Sequence, residues 1–174
     1  MFDTNAHPTV DGKWIDGRPI CGFRETEAKL RAAGFRGACA VALPRVGSYT
    51  PENFVHAARG EFWIPIAAWE TSDVDKVSVD ATMRDLRALG YCGVKVHPRL
   101  LRKLHTDQEL AYLIAAAYAA GLRTMICTYP FGTPDTNLRG NLLEVLSAAL
   151  KSAPNAPVML VHAGCVDILR YVEF

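Results

Sequence analysis

The chain has 174 residues, 50% of them hydrophobic and 21% charged, enough apolar material to bury a core in one compact domain. A formal net charge of +1 and a pI near 7.7 exclude a generic electrostatic partner, so neither nucleic acid nor an acidic membrane surface is expected. Met1-Phe2-Asp3 lacks the basic and apolar regions of a signal peptide, and no apolar run reaches the ~18–20 residues of a membrane span.

Phe2–Thr4 reads as a short first strand, followed by a long loop from Thr9 to Phe23 that contains Asp11-Gly12-Lys13-Trp14 and Asp16-Gly17-Arg18-Pro19. A helix ending at Leu30-Arg31-Ala32-Ala33-Gly34 leads into a strand over Ala38–Leu43. Thr50-Pro51 puts a capping hydroxyl before a proline at the first helical position. That helix closes at Ala57-Ala58-Arg59-Gly60, and the strand Phe62–Ala68 follows. Val79, Met83 and Leu86 form a single apolar stripe on the next helix, which closes at Gly90 before the strand Gly93–Val96. Thr106-Asp107-Gln108-Glu109 fits a capping box. The alanine-rich helix behind it, Asp107 to Ala120, is apolar almost all round and so belongs between tightly packed neighbours. Gly121 ends it, and strands Arg123–Cys127 and Val158–Val161 follow, with a sixth helix begun at residues 168–174. The closing glycines 34, 60, 90 and 121 are 26, 30 and 31 residues apart, and glycine just past a helix end supplies the left-handed cap. Cys21, Cys39, Cys92, Cys127 and Cys165 are odd in number and form no C-x-x-C pair, which points to a reduced, cytoplasmic setting.

The strands are nearly continuous in apolar character, as in a parallel sheet buried on both faces. Two α/β architectures use such units, the doubly wound open sheet and the (β/α)8 TIM-barrel type. A doubly wound nucleotide binder carries a glycine-rich turn after an early strand. Here Phe2–Thr4 is followed by Asn5-Ala6-His7-Pro8, and no G-x-G-x-x-G occurs. The expectation is one barrel domain over residues 1–174, truncated to about six βα units where a closed barrel has eight. An open arc leaves its first and last strands with bare edges, so the chain is a truncated barrel or one completed by another chain, a homo-oligomer included.

In barrels the chemistry sits at the C-terminal strand ends. Strand one delivers Asn5 and His7, strand two Arg45, and strand three Trp69 and Glu70 with Asp73 a turn later. Strand four delivers Lys95, His97 and Arg99, strand five Thr128 and Tyr129, and strand six His162. Lys95 interrupts an apolar run, and its alternation with Val94 and Val96 turns it toward the barrel interior, where its ammonium needs a partner. A lone strand-end histidine is often only a hydrogen-bonded core residue, whereas three on one rim point toward function. His56, in a helix, and His105, in a loop, read as surface positions.

Asp3-Thr4-Asn5-Ala6-His7, Gly93-Val94-Lys95-Val96-His97-Pro98 and Leu160-Val161-His162-Ala163-Gly164 together resemble successive signatures of the amidohydrolase superfamily, in its amidohydrolase-related (amidohydrolase 2) branch of metal-dependent barrels. That branch includes decarboxylases and lactonases. The resemblance implies a first-strand His-x-His pair holding a divalent metal, commonly zinc. His7 matches the second histidine, while Asn5 stands in place of the first. His162 matches the sixth-strand histidine, and the fifth strand, ending Ile126-Cys127-Thr128-Tyr129-Pro130, carries none. His7, His162 and Asn5 are thus the candidate metal ligands. An amide oxygen is a much poorer zinc ligand than an imidazole nitrogen, and a closed zinc site needs three or four protein ligands. The site holds zinc or works without a metal.

The function this implies is hydrolysis of a C–N or C–O acyl bond (amide, lactone or ester) of a small, anionic substrate. His162, His97 and Lys95 are the candidate catalytic residues. Arg45, Arg99, Tyr129 and Trp14 are the candidates for substrate binding, with Arg139 near the strand-five loop. Convergent cations suit a carboxylate-bearing substrate, although the arginines also read as ordinary solvated charge. Trp14 reads either as a lid over the pocket mouth or as packing on its rim. The alternative function is a non-catalytic degenerate or truncated barrel that binds a ligand or serves as an assembly subunit.

Overall fold

The computed structural model describes residues 1–71, 74–101, 105–128 and 142–162. Six strands form one sheet in sequence order, every neighbouring pair parallel. They are β1 (Phe2–Ala6), β2 (Gly37–Val41), β3 (Trp63–Ala68), β4 (Gly93–Val96), β5 (Arg123–Cys127) and β6 (Val158–Val161). The helices between them are α1 (Phe23–Ala32), α2 (Pro51–Ala57), α3 (Lys76–Leu89), the single turn α4 (Pro98–Leu101), α5 (Asp107–Ala119) and α6 (Leu142–Ser152). Sequential parallel strands joined through helices curl into a half-barrel, a TIM-barrel architecture short of closure.

The start signals act as expected. Thr50 accepts a hydrogen bond from the Asn53 backbone N–H at 3.2 Å, ahead of proline at the first position of α2. Thr106 and Glu109 close a reciprocal capping box on α5, at 3.1 and 2.8 Å. Gly90 ends α3 at φ 108°, a conformation a side chain resists. The stripe Val79, Met83 and Leu86 is buried, and so are Leu110, Leu113, Ile114, Ala116 and Ala117 of α5.

Two apolar layers result. The larger lies between sheet and helices, where the small Ala38, Ala40 and Ala42 on and after β2 leave room for aromatic rings. Phe23 packs edge-on against Phe54 at 4.9 Å and against Trp63 at 5.6 Å. The smaller layer, Cys39, Val41, Ile66, Met125 and Val161, covers the concave face of the sheet. Gly93 is required where β4 approaches its neighbours: a Cβ there would stand 2.6 Å from the Arg123 carbonyl oxygen and 3.0 Å from Ile66 Cδ1.

Two local expectations are revised, and one short helix is added. β1 runs on through Asn5 to Ala6, with an irregular register against β2, and its short polar sequence hid that length. The proline after β4 stops the strand and also starts α4 at its first helical position, where Leu100 and Leu101 donate to the His97 carbonyl. His105 is no surface residue; it is only 2% exposed. It precedes the Thr106 cap, the position from which a side chain packs back onto the helix, and the corresponding residue Leu110 is buried as well. His56 is exposed, as expected. The segment 168–174, Cys165, Asp73, Tyr129 and Arg139 lie outside the described residues.

Candidate active site

Lys95 is 1% exposed on the concave face of the half-barrel. Its register partner on β5 is Met125, a member of the concave apolar layer, while Val94 and Val96 belong to the layer under the helices. The alternation of a strand therefore does what the sequence implied. The lysine crosses to β1 and donates from Nζ to Asn5 Oδ1 at 3.0 Å. Asn5 is set in turn by its backbone N–H, which donates to Asp3 Oδ1 at 2.9 Å. A buried amino group is thus tied to an amide oxygen from the edge strand β1, a pairing that satisfies two groups costly to bury alone.

His7, two residues beyond Asn5, places Nδ1 2.8 Å from the Val41 carbonyl oxygen. A carbonyl only accepts, so Nδ1 carries the proton, and in the neutral ring Nε2 is the acceptor. His97 is buried at the end of β4, 2% exposed, and its carbonyl is fixed by the start of α4. His162 is exposed just beyond β6, at φ 73°. The preceding carbonyl, that of Val161, accepts from both the backbone N–H and the side-chain hydroxyl of Thr128, at 3.0 and 2.8 Å. Thr128 is fully buried and locks the ends of β5 and β6 together. A non-glycine residue with positive φ costs strain and collects at functional positions. Arg45 after β2 is another, at φ 60°.

The basic residues are divided between rim and interior. Lys95 is enclosed, while Arg45 is exposed and its charge acts on Glu70 beyond β3. Partial enclosure raises the Glu70 pKa above the usual carboxylate value, and Arg45 pulls it back down. Arg99 lies within α4. Trp69 is buried beside Glu70, and its indole N–H has no hydrogen-bond partner among the described residues. Trp14 is half-buried and shares with His7 the lining of a cavity of about 10 Å³, room for about one water. The loop that carries Trp14 is pinned to the β2 rim by Ser48, whose hydroxyl donates to Asp11 at 2.8 Å and holds that carboxyl below its usual pKa.

What the sequence did not disclose is the set of anchors: the Val41 carbonyl behind His7, the Thr128 clamp before His162, and the Asn5 oxygen facing Lys95. The strand-end threonine was visible, but its partner lies 33 residues away. The donor set does not fit a closed metal centre. Among the described residues no three His, Cys, Asp or Glu side chains come together, and Asn5 directs its oxygen at a lysine.

No family model and no curated protein matches the sequence. Solved structures do. IDCase of Metarhizium anisopliae, in its apo form, superposes with a TM-score of 0.62 at 13% identity, over 85% of this chain and 50% of that one. An apo protein of Agrobacterium tumefaciens gives 0.55 at 16% identity, over 91% and 66%. Triosephosphate isomerase of Bartonella henselae gives 0.51 at 18% identity, over 99% and 73%. The chain therefore spans about half to three quarters of the length of its structural neighbours. Its fold is that of the TIM-barrel-like enzymes. No helix among the described residues is long and apolar enough to cross a membrane.

Proposed function

We propose that the chain carries the active-site part of an amidohydrolase-like hydrolase that cleaves a C–N or C–O acyl bond of a small, carboxylate-bearing substrate. The observation that supports this reading is the polar end of the parallel half-barrel. His7, His97 and His162 stand at the ends of β1, β4 and β6, and Lys95 lies just inside with its nitrogen fixed on Asn5. Histidines so placed move protons to and from an acyl carbonyl and its leaving group. His7 has the matching polarity, with Nδ1 held on Val41 and Nε2 accepting. Arg45 and Arg99, with Tyr129, are assigned to the substrate carboxylate, and Trp14 to the first-loop wall beside His7.

The test is a hydrolysis panel of small carboxylate-bearing esters, lactones and amides against the complete natural protein. The expected result is saturable turnover that falls by about 10²-fold or more in His162→Ala, a loss of the size general acid–base catalysis supplies. Absence of saturable turnover across the panel overturns the proposal.

A further inference from the structure

The resemblance implies a metal, and the described residues do not fit one. We propose, resting on the amidohydrolase-like reading above, that Lys95 takes the place of the metal ion: the site is built around a lysine nitrogen, and the chain holds no zinc there. Three observations converge. Asn5 stands where the resemblance implies the first ligand of the first strand, and its Oδ1 accepts from Lys95 Nζ at 3.0 Å. A zinc ion on that line, ~2.1 Å from the oxygen, would fall within about 1 Å of Nζ, so the two cannot share the place.

Lys95 is also no stray surface group that swings aside. It is 1% exposed, on a strand whose flanking Val94 and Val96 are locked in the core under the helices. Leaving the lumen means dragging a buried stem through a packed layer. Finally, Asn5 is itself oriented by Asp3. One Asp3 carboxylate oxygen is thus engaged by the Asn5 backbone N–H. Asparagine in place of the histidine that the resemblance implies is a poorer zinc donor and supplies an acceptor for a buried lysine. The two residues form one device, and Asn5 is its positioning residue.

The experiment loads the complete natural protein with zinc chloride, dialyses it, and counts zinc per chain by mass spectrometry. Wild type, His7→Ala and the double variant Asn5→His with Lys95→Met are compared, folding being checked by circular dichroism. Wild type is expected to keep below about a tenth of an equivalent, and the double variant at least tenfold more, because it restores an imidazole and clears the nitrogen. About one zinc per wild-type chain, lost in His7→Ala, overturns the proposal. A folded double variant with no gain overturns Lys95 as the cause. Should the double variant not fold, the wild-type zinc content decides alone. The outcome separates from that of the hydrolysis panel: turnover that depends on retained zinc overturns this inference alone. Zinc-free protein without turnover overturns the function and leaves the lysine site standing.

Discussion

The two ends of the half-barrel are built by different means. At the C-terminal end of the strands, positions are fixed by hydrogen bonds between polar groups: Lys95 to Asn5, His7 to Val41, Thr128 to Val161, Ser48 to Asp11. Backbone strain at Arg45 and His162 is kept there as well. At the N-terminal end the concave face is a cavity of about 350 Å³, walled by Cys39, Ile66, Cys92, Met125 and Met159. Ile64 and Met159 remain 38% and 42% exposed on it. Stability therefore rests on the apolar layers, while the polar end holds the groups suited to chemistry. A parallel α/β arrangement separates the two because loops of variable sequence meet at one end only.

The comparison predicts a graded series. Ile66→Ala removes the centre of the concave layer and is expected to cost about 3 kcal/mol in urea unfolding. Gly93→Ala comes next, at about 2 kcal/mol, because its methyl meets the rigid Arg123 carbonyl rather than a movable side chain. Thr106→Ala breaks the capping box that starts α5 and should cost about 1 kcal/mol by the same measurement. Lys95→Met should cost about 1 kcal/mol, since an apolar stem of similar volume replaces the buried group while Asn5 Oδ1 loses its donor. On the proposed function, hydrolysis should nevertheless be abolished. A loss of stability in Lys95→Met equal to that of Ile66→Ala would break the division between the two ends.

The smallest effect is one of pH. Burial, aided by the nearby Asp3 and Cys92, pushes the Cys39 thiol up to about 11 from an ordinary 9.0. A group whose folded pKa is raised stabilises fully below its unfolded value. The stabilisation is lost as pH rises through the folded one. Melting temperatures should therefore hold to about pH 9 and decline toward pH 11, and Cys39→Ala should flatten that decline. Alkylation at pH 8 should reach the half-exposed Cys21 before Cys39. Preferential labelling of Cys39 would show that the cavity admits the reagent to a thiol that is buried in its wall.

Much of the fold was legible in the chain because its signals are local. Glycines spaced by one βα unit, caps at Thr50 and Thr106, and apolar strand runs each act within a few residues, and β4, β5 and β6 fall where they were read. The inward turn of Lys95 was legible for the same reason, since alternation is a property of a single strand. His105 failed because its environment is set by a helix start packing onto a neighbour rather than by its own loop.

The sequence by itself determined the succession of parallel strands joined through helices and the residues carried to the strand ends. Only the tertiary structure decided which of those residues meet. Asn5 and Lys95 are 90 positions apart, and nothing near either one announces the other. They come together because the sheet curls until β1 faces β4, and curvature is a sum over every strand pair. The same curl makes Asn5 an acceptor for a buried lysine, a role that nothing in the sequence around it shows.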